Sequence, residues 1–198
     1  MTTAPITLFV YNRPWHTQQT VEALQKNALA SESDLFIFSE APKKPEVVHA
    51  VQEVRSFIKT ISGFKSIRII ERAENMGLAN SIIDGVTRIC NEHGRVIVLE
   101  DDLVTSPFFL RYMNDALNLY EHEESVISIH GYIYPVTGKL SETFFLRGAD
   151  CWGWATWKRG WELFDPDGKR LLESLKSQNL EREFNFGEIG RASCRERV

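Results

Sequence analysis

The stretch GRVIVLEDDLVTSPFF, Gly94 to Phe109, opens with a Val and Ile run that has the composition of a buried strand and ends in three consecutive carboxylates, Glu100, Asp101 and Asp102. Three adjacent acids repel one another and lose hydration at the mouth of a core strand, so a compensating cation is expected there. A divalent metal is the economical candidate, because hard carboxylate oxygens suit Mg²⁺ or Mn²⁺, ions that take one or two protein carboxylates and complete their shells with substrate phosphates. The structural alternative is that the acids cap the next helix or face solvent. The five-residue gap from Asp102 to Pro107 weakens the capping role.

Upstream of this stretch, β-branched or aromatic runs alternate with segments of helical period. The order is Ile6–Tyr11, helix Trp15–Leu29, strand Asp34–Ser39, helix Pro45–Ile61, strand Ser66–Ile70, helix Leu78–Glu92 and strand Arg95–Leu99. Such alternation predicts an α/β fold, a mostly parallel sheet with helices on both faces built from βαβ units. In the third helix Leu78, Ile82, Val86 and Ile89 form the apolar stripe, with Asp84, Arg88 and Asn91 toward water. Downstream, Pro107–His122 reads as a helix with Phe108, Tyr112, Ala116 and Leu119 along one side. Val126–His130 and Thr143–Leu146 read as strands and Lys169–Gln178 as a short amphipathic helix. The Asp165–Lys169 segment reads as a turn.

With 198 residues the chain suits one domain. A net charge of -4 offers no basic field for nucleic acid, and no apolar run approaches the roughly 20 residues that cross a bilayer. Residues 1–10 lack the basic start and long apolar middle of a secretory signal. Cys90, Cys151 and Cys194 are widely spaced, without a C-x-x-C pair, which points to reduced thiols in a cytoplasmic setting, free or peripheral to an inner membrane.

In open α/β sheets ligands bind beyond the carboxyl ends of the strands. The first strand delivers Tyr11, Asn12 and Arg13 to that edge, the second Ser39 and Glu40, and the fourth the acidic triplet. These groups converge on one polar site.

The same residues resemble the nucleotide-sugar glycosyltransferases of the GT-A fold. EDDLVTSPFF is similar to the acidic segment of the N-acetylglucosaminyltransferase I group, and ITLFVYNRPWHTQQTVEAL to the first strand and helix of those enzymes and of bacterial family 2 transferases. ERAENMGLANSI matches their Asn-x-Gly-Leu-Ala segment, and RGADCWGWATWKRGWELF resembles the Gly-Trp region beside the donor sugar. The resemblance runs over roughly residues 5–186. It implies that Asp102 coordinates the metal, Mn²⁺ or Mg²⁺, on the donor diphosphate, and that Asp101 and Glu100 contact ribose and donor sugar. It also places Tyr11, Asn12, Arg13 and Glu40 near the nucleotide, and lets Asn75 and Gly77 bring backbone close to it. Trp152 and Gly153 then line the sugar, whereas Trp154, Trp157 and Trp161 follow helical spacing and favour packing. The implied activity is transfer from a UDP-sugar to a glycan or glycoconjugate acceptor with inversion, with Arg13 or Arg147 assisting at phosphate.

In that family the carboxylate base lies downstream of the Gly-Trp region, and the expectation is a donor half, residues 1–187, whose base segment is missing. Residues 188–198 resemble read-through of a cloning adapter and are expected to form a non-native tail. Two rivals remain open. A sugar-nucleotidyltransferase would need a Gly-rich phosphate loop, which YNRPWH does not supply, and a non-catalytic nucleotide-binding module would bind without turnover.

Overall fold

The computed structural model describes residues 2–133, 135 and 141–184, so the expectation for the tail lies outside the described residues. Four strands run parallel: β1 (Ile6–Val10), β2 (Asp34–Ser39), β3 (Ser66–Glu71) and β4 (Arg95–Glu100). A short strand β5 (Ser128–His130) and an antiparallel β6 (Trp154–Trp157) complete one sheet in the order β3-β2-β1-β4-β6-β5. The α/β class read from the sequence is therefore the class observed.

This order fixes the place of the site. From β1 the chain moves outward through α1 (Pro14–Gln25) to β2 and through α2 (Val48–Ile58) to β3. It then returns through α3 (Leu78–His93) to enter on the other side of β1. Right-handed crossovers in opposite directions put their helices on opposite faces. Accordingly Val21, Leu24, Val54 and Ile58 pack with Ile6, Leu8, Leu35, Ile37, Ile97 and Leu99. Across the sheet Val86, Ile89 and Cys90 pack with Phe9, Phe36, Phe38, Val96 and Val98. Both faces are covered, which is why the strands read as unbroken apolar runs. Where the winding reverses, between β1 and β4, the strand ends leave a crevice.

α3 docks by the predicted face except at its first turn, whereas α4 docks by a different one. In α3 the stripe residues Val86 and Ile89 are buried and Ile82 packs against them half-buried, joined by Ser81, Gly85 and Cys90, whereas Leu78 is exposed. The same face brings Gly85 onto the stacked rings of Phe9 and Phe38, whose centroids lie 5.2 Å apart, so that a Cβ at Gly85 would come within 2.7 Å of Phe9. In α4 (Phe109–Leu119) the core takes Phe109, Leu110, Met113 and Leu117, and the predicted stripe of Phe108, Tyr112 and Leu119 points outward. That helix carries two apolar stripes, and only the packing decides between them.

Two further readings are corrected. Thr143–Leu146 forms no strand, and the sheet instead recruits Trp154–Trp157, whose tryptophan spacing had suggested a helix. Trp161 lies on the short α5 (Lys158–Trp161), where its ring meets Trp154 at 5.9 Å.

The chain divides into two compact units, one holding residues up to 134 with 150–162, the other 135–149 with those from 163 onward. The first carries the sheet. In the second, Asp167 caps α6 (Gly168–Ser177) by accepting from the Lys169 and Arg170 amides, so the predicted turn is a helix start. The same unit holds α7 (Glu181–Phe184) and an ion pair from Arg147 to Glu183 at 2.7 Å. No helix among the described residues is long and apolar enough to cross a membrane.

The close approach at Gly85 yields a test of the packing. Alanine there gains roughly 1 kcal/mol of helix propensity but overpacks the two rings at a cost of about 1–3 kcal/mol, so Gly85→Ala should be destabilised by up to about 2 kcal/mol in urea unfolding. A stabilised variant would show that α3 stands further from the sheet.

Candidate functional site

At the end of β1 the chain turns through Tyr11, Asn12 and Arg13 into α1, with Pro14 in the first turn. At the end of β4 it turns through Glu100, Asp101 and Asp102. The two turns are joined by charge. Arg13 donates from one guanidinium nitrogen to Asp101 and from the other to Asp102, the latter at 2.9 Å, and the Tyr11 amide donates to the second oxygen of Asp101 at 3.3 Å. The Asp101 side chain is 3% exposed, against 42% for both Arg13 and Asp102.

This asymmetry decides the protonation behaviour. Burial raises the pKa of Asp101 above the ordinary carboxylate value, and Arg13 with the Tyr11 amide offsets only part of the lost hydration. For Arg13, partial burial works against the charge, but Asp101 and then Asp102 outweigh it and the pKa rises. The cation expected at the acidic triplet is, in this structure, an arginine.

The capping alternative does not apply. No side chain caps α4 at its Phe108 N-cap, and the buried Leu110 amide of its first turn donates to Asn27 Oδ1 at 2.9 Å. Asn27 also donates to Thr105, and the Ala28 amide to the Pro107 carbonyl at 2.9 Å. The loop after the acids is thus pinned just past the end of α1, with Asp101 buried and Asp102 exposed ahead of it.

A second carboxylate stands beside the first group. Glu40, 6% exposed at the end of β2, accepts from the Met76 amide at 2.8 Å through Oε2, while Oε1 is buried without a hydrogen-bond partner. Unpaired buried acceptors cost free energy, roughly 1–3 kcal/mol in mutational data, and so are rare in a settled core. The backbone around it is held by Arg55, which donates to the carbonyls of Glu40 and Arg72. Asn75 donates to the Ala41 carbonyl at 2.7 Å and accepts from the Gly77 amide at 3.1 Å. Gly77, at φ 76°, ψ 157°, occupies backbone space that side-chain-bearing residues avoid, so the glycine serves conformation here. Tyr11 closes the group, its hydroxyl accepting from the Lys43 amide at 3.1 Å.

The structure thus brings Tyr11, Arg13, Asp101 and Asp102 into one hydrogen-bonded group, and Glu40, Asn75 and Gly77 into an adjoining one. Asn12 is partly exposed in the β1 turn. Glu100 closes β4 opposite Phe9 in the β1 register. Trp152 and Gly153 precede β6, whose Trp154 pairs with Val98, so they leave the sheet at the edge where β4 ends. Arg147 belongs to the second unit.

Arg55, Arg72 and Ser81 had no sequence signal of their own. Arg72 stacks over Phe38 at 5.2 Å and pairs with Asp84, with its Nε unpartnered, and the buried Ser81 hydroxyl is likewise without a partner. His130 is also resolved. Its Nδ1 accepts from the Asp150 amide at 3.2 Å, which leaves Nε2 to donate to Ser128 at 2.9 Å, the wrong polarity for activating that hydroxyl.

Among the described residues no group of three or more His, Cys, Asp or Glu stands ready for a metal ion. Of the two carboxylates that Arg13 joins, Asp102 is the exposed one and offers a single oxygen donor group. That fits Mg²⁺ or Mn²⁺ only if a substrate supplies most of the shell.

No known protein-family profile and no curated protein matches the chain. Similar folds occur among solved structures. A mannosyltransferase from Pyrobaculum calidifontis, solved with GDP-Man and Mn²⁺, is 11% identical at a TM-score of 0.44, over 64% of this chain and 34% of its own. Residues 1–349 of Staphylococcus aureus TarS give 11% and 0.43 over 71% and 38%. A putative nucleotide-diphospho-sugar transferase from Desulfovibrio desulfuricans G20 gives 11% and 0.49 over 89% and 77%. The chain spans about a third of the length of the first two. Identities and scores this low leave the function to the chain's own residues.

The buried acid generates a pH-dependent prediction. Because the folded pKa of Asp101 is raised, both states carry the proton below its ordinary value, and stability falls as pH rises through the folded value. Asp101→Asn keeps an acceptor for the Tyr11 amide without the charge. It should show a higher urea midpoint than the parent at pH 7, an advantage that shrinks toward pH 4. A lower midpoint at pH 7 would mean that Arg13 more than repays the burial.

Proposed function

We propose that the chain is the donor-binding domain of a GT-A-type glycosyltransferase, which moves a sugar from a nucleotide-sugar to a glycan or glycoconjugate acceptor. One observation carries the reading: at the point where the sheet reverses its winding, one arginine is shared by a buried and an exposed carboxylate, beside a second buried carboxylate with an unpaired oxygen. Such a strand-edge crevice is where α/β sheets bind ligands. Its mixture of forked cation, exposed acid and buried acceptor suits a nucleoside diphosphate better than a neutral metabolite.

In this reading Glu40 Oε1 accepts a ring N–H of the base. Uracil and guanine carry such an imide or lactam hydrogen, whereas adenine and cytosine rings do not, and UDP is the proposed nucleotide. Gly77 and Asn75 fix the backbone along the nucleoside, and Asp101 and Glu100 face ribose and sugar. Asp102 would hold Mn²⁺ or Mg²⁺, with the substrate supplying most of the shell. When bound, that ion neutralises charge developing on the departing diphosphate. Arg13 is then freed from Asp102 and directs its forked N–H groups toward phosphate while keeping its pair with Asp101. Trp152 and Gly153 border the donor sugar, and transfer proceeds by displacement with inversion at the anomeric carbon.

The test is a thermal-shift titration with UDP, GDP, ADP and CDP, each with and without Mn²⁺. At about 100 times its dissociation constant a ligand specific to the native state adds roughly 2.7 kcal/mol. UDP should stabilise the chain only with metal, ADP and CDP should not, and Asp102→Ala should abolish the response. Silence toward every nucleotide, or an unchanged response in Asp102→Ala, would refute the reading.

A further inference from the structure

Beyond β5 and β6 the sheet edge carries an arrangement with no part in nucleotide binding. The rings of Tyr132, two residues past β5, and Trp152, two before β6, meet with centroids 4.7 Å apart at 59°. Tyr132 is 41% exposed and Trp152 partly so. Exposed aromatic pairs on loops are ordinarily mobile; this one is fixed from below. The Gly131 amide donates to the Gly153 carbonyl at 2.8 Å, the Asp150 amide donates to His130 Nδ1, and Asp150 Oδ1 accepts from the Trp152 amide at 3.0 Å. Both glycines are pressed on Phe109, where a Cβ would come within 2.6 Å at Gly131 and 3.1 Å at Gly153. Bulkier residues would lift either turn off the core.

We infer that Tyr132 and Trp152 form a platform for one pyranose ring of the acceptor, a sugar subsite that adjoins the donor site at Trp152. A pyranose offers an apolar C–H face to an aromatic ring, while its hydroxyls stay at the solvated rim. Position favours a sugar over a peptide or lipid. Strand order places β6 next to β4 and β5 one strand further out, so Trp152 adjoins the edge where Glu100 ends β4 and Tyr132 extends that border outward. A ring bound there stands beside the donor sugar. Its role as acceptor rests on the proposed transferase function; its affinity for a pyranose does not. The fixed backbone means that little ordering is required on binding.

Saturation-transfer NMR tests this on the whole chain with three probes at millimolar concentration: methyl β-D-glucopyranoside, methyl α-D-mannopyranoside and methyl N-acetyl-β-D-glucosaminide. At least one should receive saturation at its ring C–H protons. Tyr132→Leu should weaken that binding about fivefold or more, and Tyr132→Phe should hold it within about twofold. Each variant is also titrated with UDP and Mn²⁺ by thermal shift, where the response should equal that of the parent. Absence of saturation with all three probes, or unchanged binding in Tyr132→Leu, overturns the platform. A nucleotide response without pyranoside binding removes the platform alone, whereas pyranoside binding without a nucleotide response supports the platform and removes the transferase reading.

Discussion

A carboxylate that loses nearly all its hydration at the end of a core strand must have a cation, and Arg13 supplies it to Asp101 from the neighbouring turn. Much of the site follows from this pair. It draws the β1 and β4 turns together across the reversal of the sheet, holds Asp102 through the same guanidinium, and orders Tyr11, whose amide and hydroxyl reach Asp101 and the loop after β2. The pair is held at a cost, since the burial of Asp101 is only partly offset. A site that spends stability on charge is characteristic of function rather than of folding alone.

The Glu40 side has a complementary logic. Arg55 is spent on backbone carbonyls and on Glu71, so it braces the loop ends without neutralising the Glu40 carboxylate. Glu40 therefore keeps one paired oxygen and one unpaired one. The paired oxygen fixes the side chain through the Met76 amide, and the unpaired oxygen is held ready for a donor. Between Arg13 and Glu40 the crevice presents a forked cation and a fixed acceptor, the two polar features that distinguish the ends of a nucleotide.

The convergence of Tyr11, Arg13, Glu40 and the acidic triplet was legible before any coordinates, because parallel strands deliver their C-terminal residues to one edge. Which partner each would take was not. The triplet called for a cation, and one that the fold supplies is Arg13, which lies about ninety positions away in sequence and is brought near only by β1 pairing with β4. Asn27 gave no signal as a cap for α4 because its helix is 83 residues distant. Likewise the α4 sequence holds two apolar stripes, and periodicity alone has no means of choosing the one that meets Ile129 and Trp157.

The sequence by itself determined the alternation of strands and helices, since apolar runs and helical periods are local properties, and with them the α/β class and the polar edge. Tertiary structure alone decided what depends on distant neighbours: the face by which α4 docks, the use of Trp154–Trp157 as a strand, and the sharing of Arg13 between two carboxylates. Burial and pairing are set by what the rest of the chain places alongside a residue. That is why the sequence named the acids at this edge, and the fold decided which one is buried, which one faces solvent, and which arginine joins them.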